Sequence, residues 1–138
     1  MNNWTRTPYD PYAHAIRLRI PVVWEEDQPE PGRWHAPWHL IILRSGMPPI
    51  QDRCILAHEL GHACMGHTTS TPKQERQADR WAATHLITAE HLTHIAAFSP
   101  DPGIWCRELQ VTPRILDTYL ALPEGRQWLS QRNGRVAI

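Results

Sequence analysis

"CILAHELGHACMGH", Cys54 to His67, is the stretch on which the reading of this chain turns. Three histidines and a glutamate stand among apolar residues at 55, 56, 60, 63 and 64, a spacing that predicts one helix. Within it, His58-Glu59-Leu60-Gly61-His62 matches H-E-x-x-H. On a helix the two histidines lie one turn apart, about 6 Å along the axis, and can point at the same ion. Glu59 sits beside them, where its carboxylate can take a proton from an activated water. Zinc suits the pair because it accepts neutral imidazoles and an oxygen ligand in a tetrahedron and keeps a fourth position open. An amphipathic helix with two ordinary histidines and a salt-bridged Glu59 has the same five letters, so a third ligand has to decide.

That ligand is not in the stretch itself. Thr68 occupies the position of the third histidine in the extended motif H-E-x-x-H-x-x-G-x-x-H, and His67 falls one residue early. Downstream, Thr71 as N-cap, Pro72 at the first helical position and Gln74 at the capping-box position predict a second helix. In its "ERQAD", Glu75 and Asp79 share a face with Ala78, Ala82 and Leu86, while Arg76, Gln77 and Arg80 point more toward water. A carboxylate on a packed face is costly unless paired or bound to a metal. Glu75 is therefore assigned as the third ligand. Asp79 is assigned as acceptor from the non-coordinating nitrogen of His58 or His62, fixing its tautomer. Taken singly, Glu75 reads as a first-turn carboxylate favoured by the helix dipole, and Asp79 as a surface partner of Arg76 or Arg80. His67 is left as a helix cap, a substrate contact, a stabiliser of an oxyanion, or a fourth ligand that closes the site.

The flanks place this pair of helices. "YDPYAHAIRL" (Tyr9–Leu18) predicts a short helix with Tyr12, Ala15 and Ile16 on one side. "PVVW" and "RWHAPWHLIILR" read as short strands, His39 to Arg44 the strongest, and "EEDQPEPG" between them as a surface connection. Gly61 in mid-helix costs about 1 kcal/mol relative to alanine, which points to a close approach by neighbouring groups, and Gly66 marks the helix end. The second helix extends as far as Ala97 or Phe98 before Pro100, with a break near Thr88. Two shorter helices follow, one starting near Pro113 and containing Ile115, Leu116 and Tyr119, and Gln131–Ile138 is polar enough to fray. The expectation is an α+β fold with a small N-terminal sheet packed on two metal-bearing helices and further helices behind.

Composition narrows the partners. With 138 residues the chain is expected to form a single domain. Its 14 basic and 14 acidic residues cancel, giving no general reason to expect a polyanion or a membrane as partner. The N-terminus lacks an export signal and no apolar run reaches the roughly 18 residues of a membrane span, so a cytoplasmic location is expected. Cys54, Cys64 and Cys106 read as buried free thiols. Trp24, Trp34 and Trp38, among seven tryptophans, are core aromatics or line a groove. Trp34 and Trp38 are candidate substrate contacts beside the strand His39–Arg44, which would receive an extended peptide if it forms a sheet edge.

"AHELGHACMGH" followed by "ERQADRWAATHLI" resembles the ImmA/IrrE family of gluzincin-type metallopeptidases, whose helices carry H-E-x-x-H and E-x-x-A-[DN]-x-[FW]-A. The likeness extends from Tyr9 to Ile87 and more weakly to Leu120. It implies a minimal zincin-like core over 9–98 with accessory helices over 99–130. It also implies one zinc per chain on His58, His62 and Glu75, with Glu59 as catalytic carboxylate and Asp79 as orienting residue. By the same resemblance, the substrate is a helix-turn-helix repressor of a phage or mobile element, cleaved in a bacterial or phage-infected cell. A competing reading comes from "IWCRELQVTPRILDTYL", which resembles a helix-turn-helix DNA-binding unit with Arg107 and Arg114; packing alone also explains its apolar residues, so direct DNA binding is not expected. The remaining alternative is a zinc-containing accessory protein without protease activity, against which the intact Glu59 argues.

Overall fold

A computed structural model describes residues 8–136, with side chains over 8–132. Asp10 caps α1 (Pro11–Arg17) by accepting from the Tyr12 and Ala13 N–H groups. Three strands follow, β1 (Val22–Glu25), β2 (Gly32–His35) and β3 (Leu40–Arg44), with a short 3-10 turn at Ala36–Trp38 before β3. Their spatial order is β1-β3-β2, with β1 parallel and β2 antiparallel to β3. The strand expected to offer an edge is thus the middle one. Its backbone is paired on both sides, Ile41 with Val22 and with Trp34, so it has no edge to present to a peptide. The edge strands of the sheet are β1 and β2.

Ile41 and Leu43 project from β3 into the interior, alternating with half-exposed neighbours. Against them lies α2 (Pro49–Cys64), whose Leu56 and Leu60 join Ala15, Ile20, Ile41 and Leu43 in one apolar cluster. Cys54 and Ala57, on another side of α2, enter a second and larger cluster with α3 (Pro72–Leu86) and the C-terminal helices. Helix α2 is consequently packed on two sides at once.

The helix after α3 separates at Ile87, where the backbone turns extended, and Thr88 caps α4 (Ala89–Ala96). Three further helices follow where two were expected: α5 (Pro102–Leu109), α6 (Pro113–Ala121) and α7 (Pro123–Val136). Trp128 explains the addition, because it anchors α7 in the large cluster, edge-on to Trp105, and so holds a helix whose polar end reads poorly from sequence. The tail expected to fray is helical to Val136; residues 137–138 lie outside the described part. Ile16 is 77% exposed, against the expectation that it shares the packed side of α1, which is carried by Pro11 and Ala15 instead. Cys54 and Cys106 are buried free thiols, whereas Cys64, at the last turn of α2, is exposed. Among the described residues no helix is long and apolar enough to cross a membrane.

Candidate metal centre and active site

Two helices meet over the sheet because Gly61 lets them. A Cβ at that position would lie 3.1 Å from the Ala78 carbonyl oxygen and 3.2 Å from its Cα, so a side chain there would press on the α3 backbone that glycine lets approach. The close approach sets the third-ligand candidate against the histidine pair. Glu75 Oε1 is 3.5 Å from His58 Nε2, and Glu75 Oε2 is 2.5 Å from His62 Nε2. One donor atom from each of His58, His62 and Glu75 lies within 4.8 Å of the others. Ligands on a tetrahedral zinc sit roughly 3.3 Å apart, so a small contraction of the three would enclose an ion.

The donor set fits such an ion. Glu75 Oε2 is buried and no hydrogen-bond donor is aligned on it, although it lies close enough to His62 for an ion pair. A buried carboxylate oxygen without a donor is costly in protein, and a cation between it and two imidazoles removes that cost.

Each histidine is held from behind, in a different way. His58 Nδ1 lies 2.8 Å from Asp79 Oδ1. Burial alone would lower the His58 pKa, but the Asp79 hydrogen bond and the surrounding carboxylates push it up. Asp79 in turn is held below the usual carboxylate range: the penalty of burial is outweighed by His58 and by Arg114, whose Nη2 is 3.4 Å from Asp79 Oδ2. The partner of Asp79 is therefore Arg114, from α6. Arg80 pairs instead with Glu124 at 3.2 Å.

His62 is held by His67, at 2.9 Å between the two Nδ1 atoms, and His67 Nε2 is 2.9 Å from Gln77 Oε1. Local backbone chemistry brings His67 there. Helix α2 ends in a left-handed Gly66 (φ 70°). Beyond it the His67 N–H bonds back to the His62 carbonyl at 2.9 Å and the Gly66 N–H to Ala63 at 3.2 Å. This is the Schellman arrangement, which stacks the side chain two residues past the cap against the third residue from the helix end. Those two residues are His67 and His62. His67 is only 7% exposed, lines the cavity over the cluster, and has a partner at each ring nitrogen, His62 and Gln77. Gln77, expected to point toward water, faces His67 instead. Gly66 was the available signal for this contact.

Glu59 is buried beside the cluster, and its Oε1 accepts the Trp34 backbone N–H at 2.8 Å. Burial pushes its carboxyl up to about 7, against the pull of His58 and of that N–H. Burial, with His58 next, pulls His62 down despite Glu75. The cavity over these groups, about 640 Å³, is walled by Gly32–Trp34 of β2, Ser70 and Arg114. Trp34 thus reaches the site twice, since its indole also donates to the His67 carbonyl at 3.2 Å. Trp38 does not line the cavity. It is 68% exposed and stacks on His35, because the 3-10 turn carries it off the strand. In the region read as a helix-turn-helix, Ile115, Leu116 and Tyr119 are buried as packing residues and Arg114 is turned to Asp79.

The family model described as Peptidase_M78, IrrE N-terminal-like domain, matches residues 15–101, from α1 to just past α4. No curated protein matches the chain. The matched segment contains His58, Glu59, His62, Glu75 and Asp79, and the cluster of two histidines and a carboxylate is the donor set of a metal-binding, peptidase-like protein. The chain belongs to the IrrE N-terminal-like domain family of peptidases.

Proposed function

We propose that the protein is a zinc-dependent endopeptidase acting in the cytoplasm of a bacterial or phage-infected cell. Its proposed substrate is a protein, namely a helix-turn-helix repressor of a phage or mobile element. The observation that carries this reading is the convergence of His58, His62 and Glu75 next to a buried Glu59. The two Nε2 atoms and the Glu75 carboxylate would hold one zinc per chain. When bound, zinc supplies the Lewis acidity that acidifies a water and polarises the scissile carbonyl.

The protein's own groups do the rest. Glu59 takes the proton of the attacking water and passes it to the leaving amine. The Trp34 N–H holds one Glu59 oxygen in place, leaving the other as proton acceptor. An extended peptide would lie along the edge strand β2, pairing with the outward backbone groups other than the Trp34 N–H, which Glu59 holds, and with Trp34 as an apolar wall.

Elemental analysis of purified protein, followed by incubation with purified helix-turn-helix repressors, tests this reading. About one zinc per chain is expected from the His58, His62 and Glu75 cluster. Glu59→Gln should keep the zinc and lose cleavage, and Glu75→Ala should lose zinc affinity. Full zinc affinity in Glu75→Ala would show the third ligand to be another group. A wild-type protein that holds zinc but cleaves none of the repressors would favour an accessory role without protease activity.

A further inference from the structure

The two histidines of the cluster are oriented by different chemistry, and the pathway behind His62 dictates where each proton must sit. His62 Nε2 is the atom beside Glu75. To act as a ligand it must present a bare lone pair, so a neutral His62 carries its proton on Nδ1. That proton faces His67 Nδ1 at 2.9 Å. His67 can accept it only if its own Nδ1 is bare, which puts the His67 proton on Nε2. There, at 2.9 Å, stands Gln77 Oε1, an oxygen that can accept and cannot donate.

We propose that Gln77 and His67 form a tautomer relay that keeps His62 Nε2 free for metal: the Gln77 carbonyl fixes the His67 tautomer, and His67 fixes that of His62. The donors run one way, from His62 to His67 to Gln77. Removal of the Gln77 carbonyl leaves His67 equally able to carry its proton on Nδ1. It would then donate to His62, moving the His62 proton to Nε2 and blocking the metal. Because His67 is buried, loss of a partner at its ring is costly. His58 needs no such relay, because the Asp79 carboxylate accepts its Nδ1 proton directly. Both Gln77 and His67 are positioning residues, acting on the metal only through His62.

The relay rests on the metal reading above, and its test separates the two. Zinc affinity is measured on the full chain by competition against a chelator, for wild type, Gln77→Met, Gln77→Glu and Asp79→Asn, with melting of the zinc-free proteins as a control. Removing a partner behind a metal-ligating histidine typically weakens binding 10- to 100-fold. Gln77→Met, close in shape but with only a weak thioether acceptor in place of the carbonyl, should lose about 10-fold while melting near wild type. Gln77→Glu restores an acceptor oxygen and should return affinity to within about 3-fold of wild type, a rescue that a packing role would not produce. In nitrogen-15 spectra of the zinc-loaded wild type, His67 should carry its proton on Nε2. A His67 protonated on Nδ1, or Gln77→Met binding zinc as tightly as wild type, overturns the relay; a loss in Asp79→Asn beside it shows that the metal site itself stands. A wild type that takes up no zinc removes the metal site and the relay together.

Discussion

Helices α2 and α3 build the centre together and are held in opposite ways. Helix α3 carries its instructions in its own sequence. Thr71 and Gln74 cap it reciprocally, at 3.2 Å and 3.1 Å, Pro72 opens its first turn, and one face of Ala78, Ala82 and Leu86 is buried. Helix α2 lacks such a cap, although Pro49 likewise opens its first turn. Pro48 stands at its N-cap without a side-chain hydrogen bond, Gly61 interrupts its middle, and it is buried against the sheet on one side and against the helical cluster on another. A helix of weak local preference survives here because tertiary packing supplies what propensity does not. The histidine pair is therefore placed by the fold, and Glu75 by a local signal.

Breaking the packing should accordingly cost more than breaking the cap. Gly61→Val puts a branched side chain where even a Cβ meets Ala78 backbone at 3.1 Å. An overpacked helix contact of this kind should lower stability by about 3 kcal/mol in urea unfolding. Zinc affinity should fall with it, as α3 moves Glu75 away from His62. Unchanged stability would mean that α2 does not depend on this contact. Thr71→Ala removes the cap alone and should cost about 1 kcal/mol. Glu75 lies in the fraying turn, so a several-fold weaker zinc affinity is expected beside intact binding of the histidine pair.

The same contrast explains what was legible in the sequence. The capping box, the H-E-x-x-H pair and the Glu75/Asp79 spacing are properties of neighbouring residues, and each appears in the structure at the positions read. The break at Thr88 was readable for the same reason, since its side chain caps α4 locally. What the sequence withheld was non-local. Nothing within His39–Arg44 says that β1 and β2 will flank it, so its apolar character, which suits a central strand, could equally be read as an edge. The outward turn of Ile16 and the docking of α7 through Trp128 depend on surfaces formed by distant segments. His67 lies between these cases: the left-handed Gly66 is a local signal, but the arrival of Gln77 on the far side requires the Gly61 contact first.

The weakest link in the comparison is the one α6 adds to α3. Arg114 reaches Asp79 at 3.4 Å from a side chain 78% exposed, and salt and water screen such a pair. Arg114→Ala should change stability by less than about 0.5 kcal/mol. Asp79 remains against His58 at 2.8 Å, so zinc affinity should move little, and the small difference should vanish in high salt. Chelator competition at low and high salt checks this. A large, salt-independent loss would mean that Arg114 orients Asp79, and that the support of His58 depends on the C-terminal helices as much as the support of α2 depends on α3.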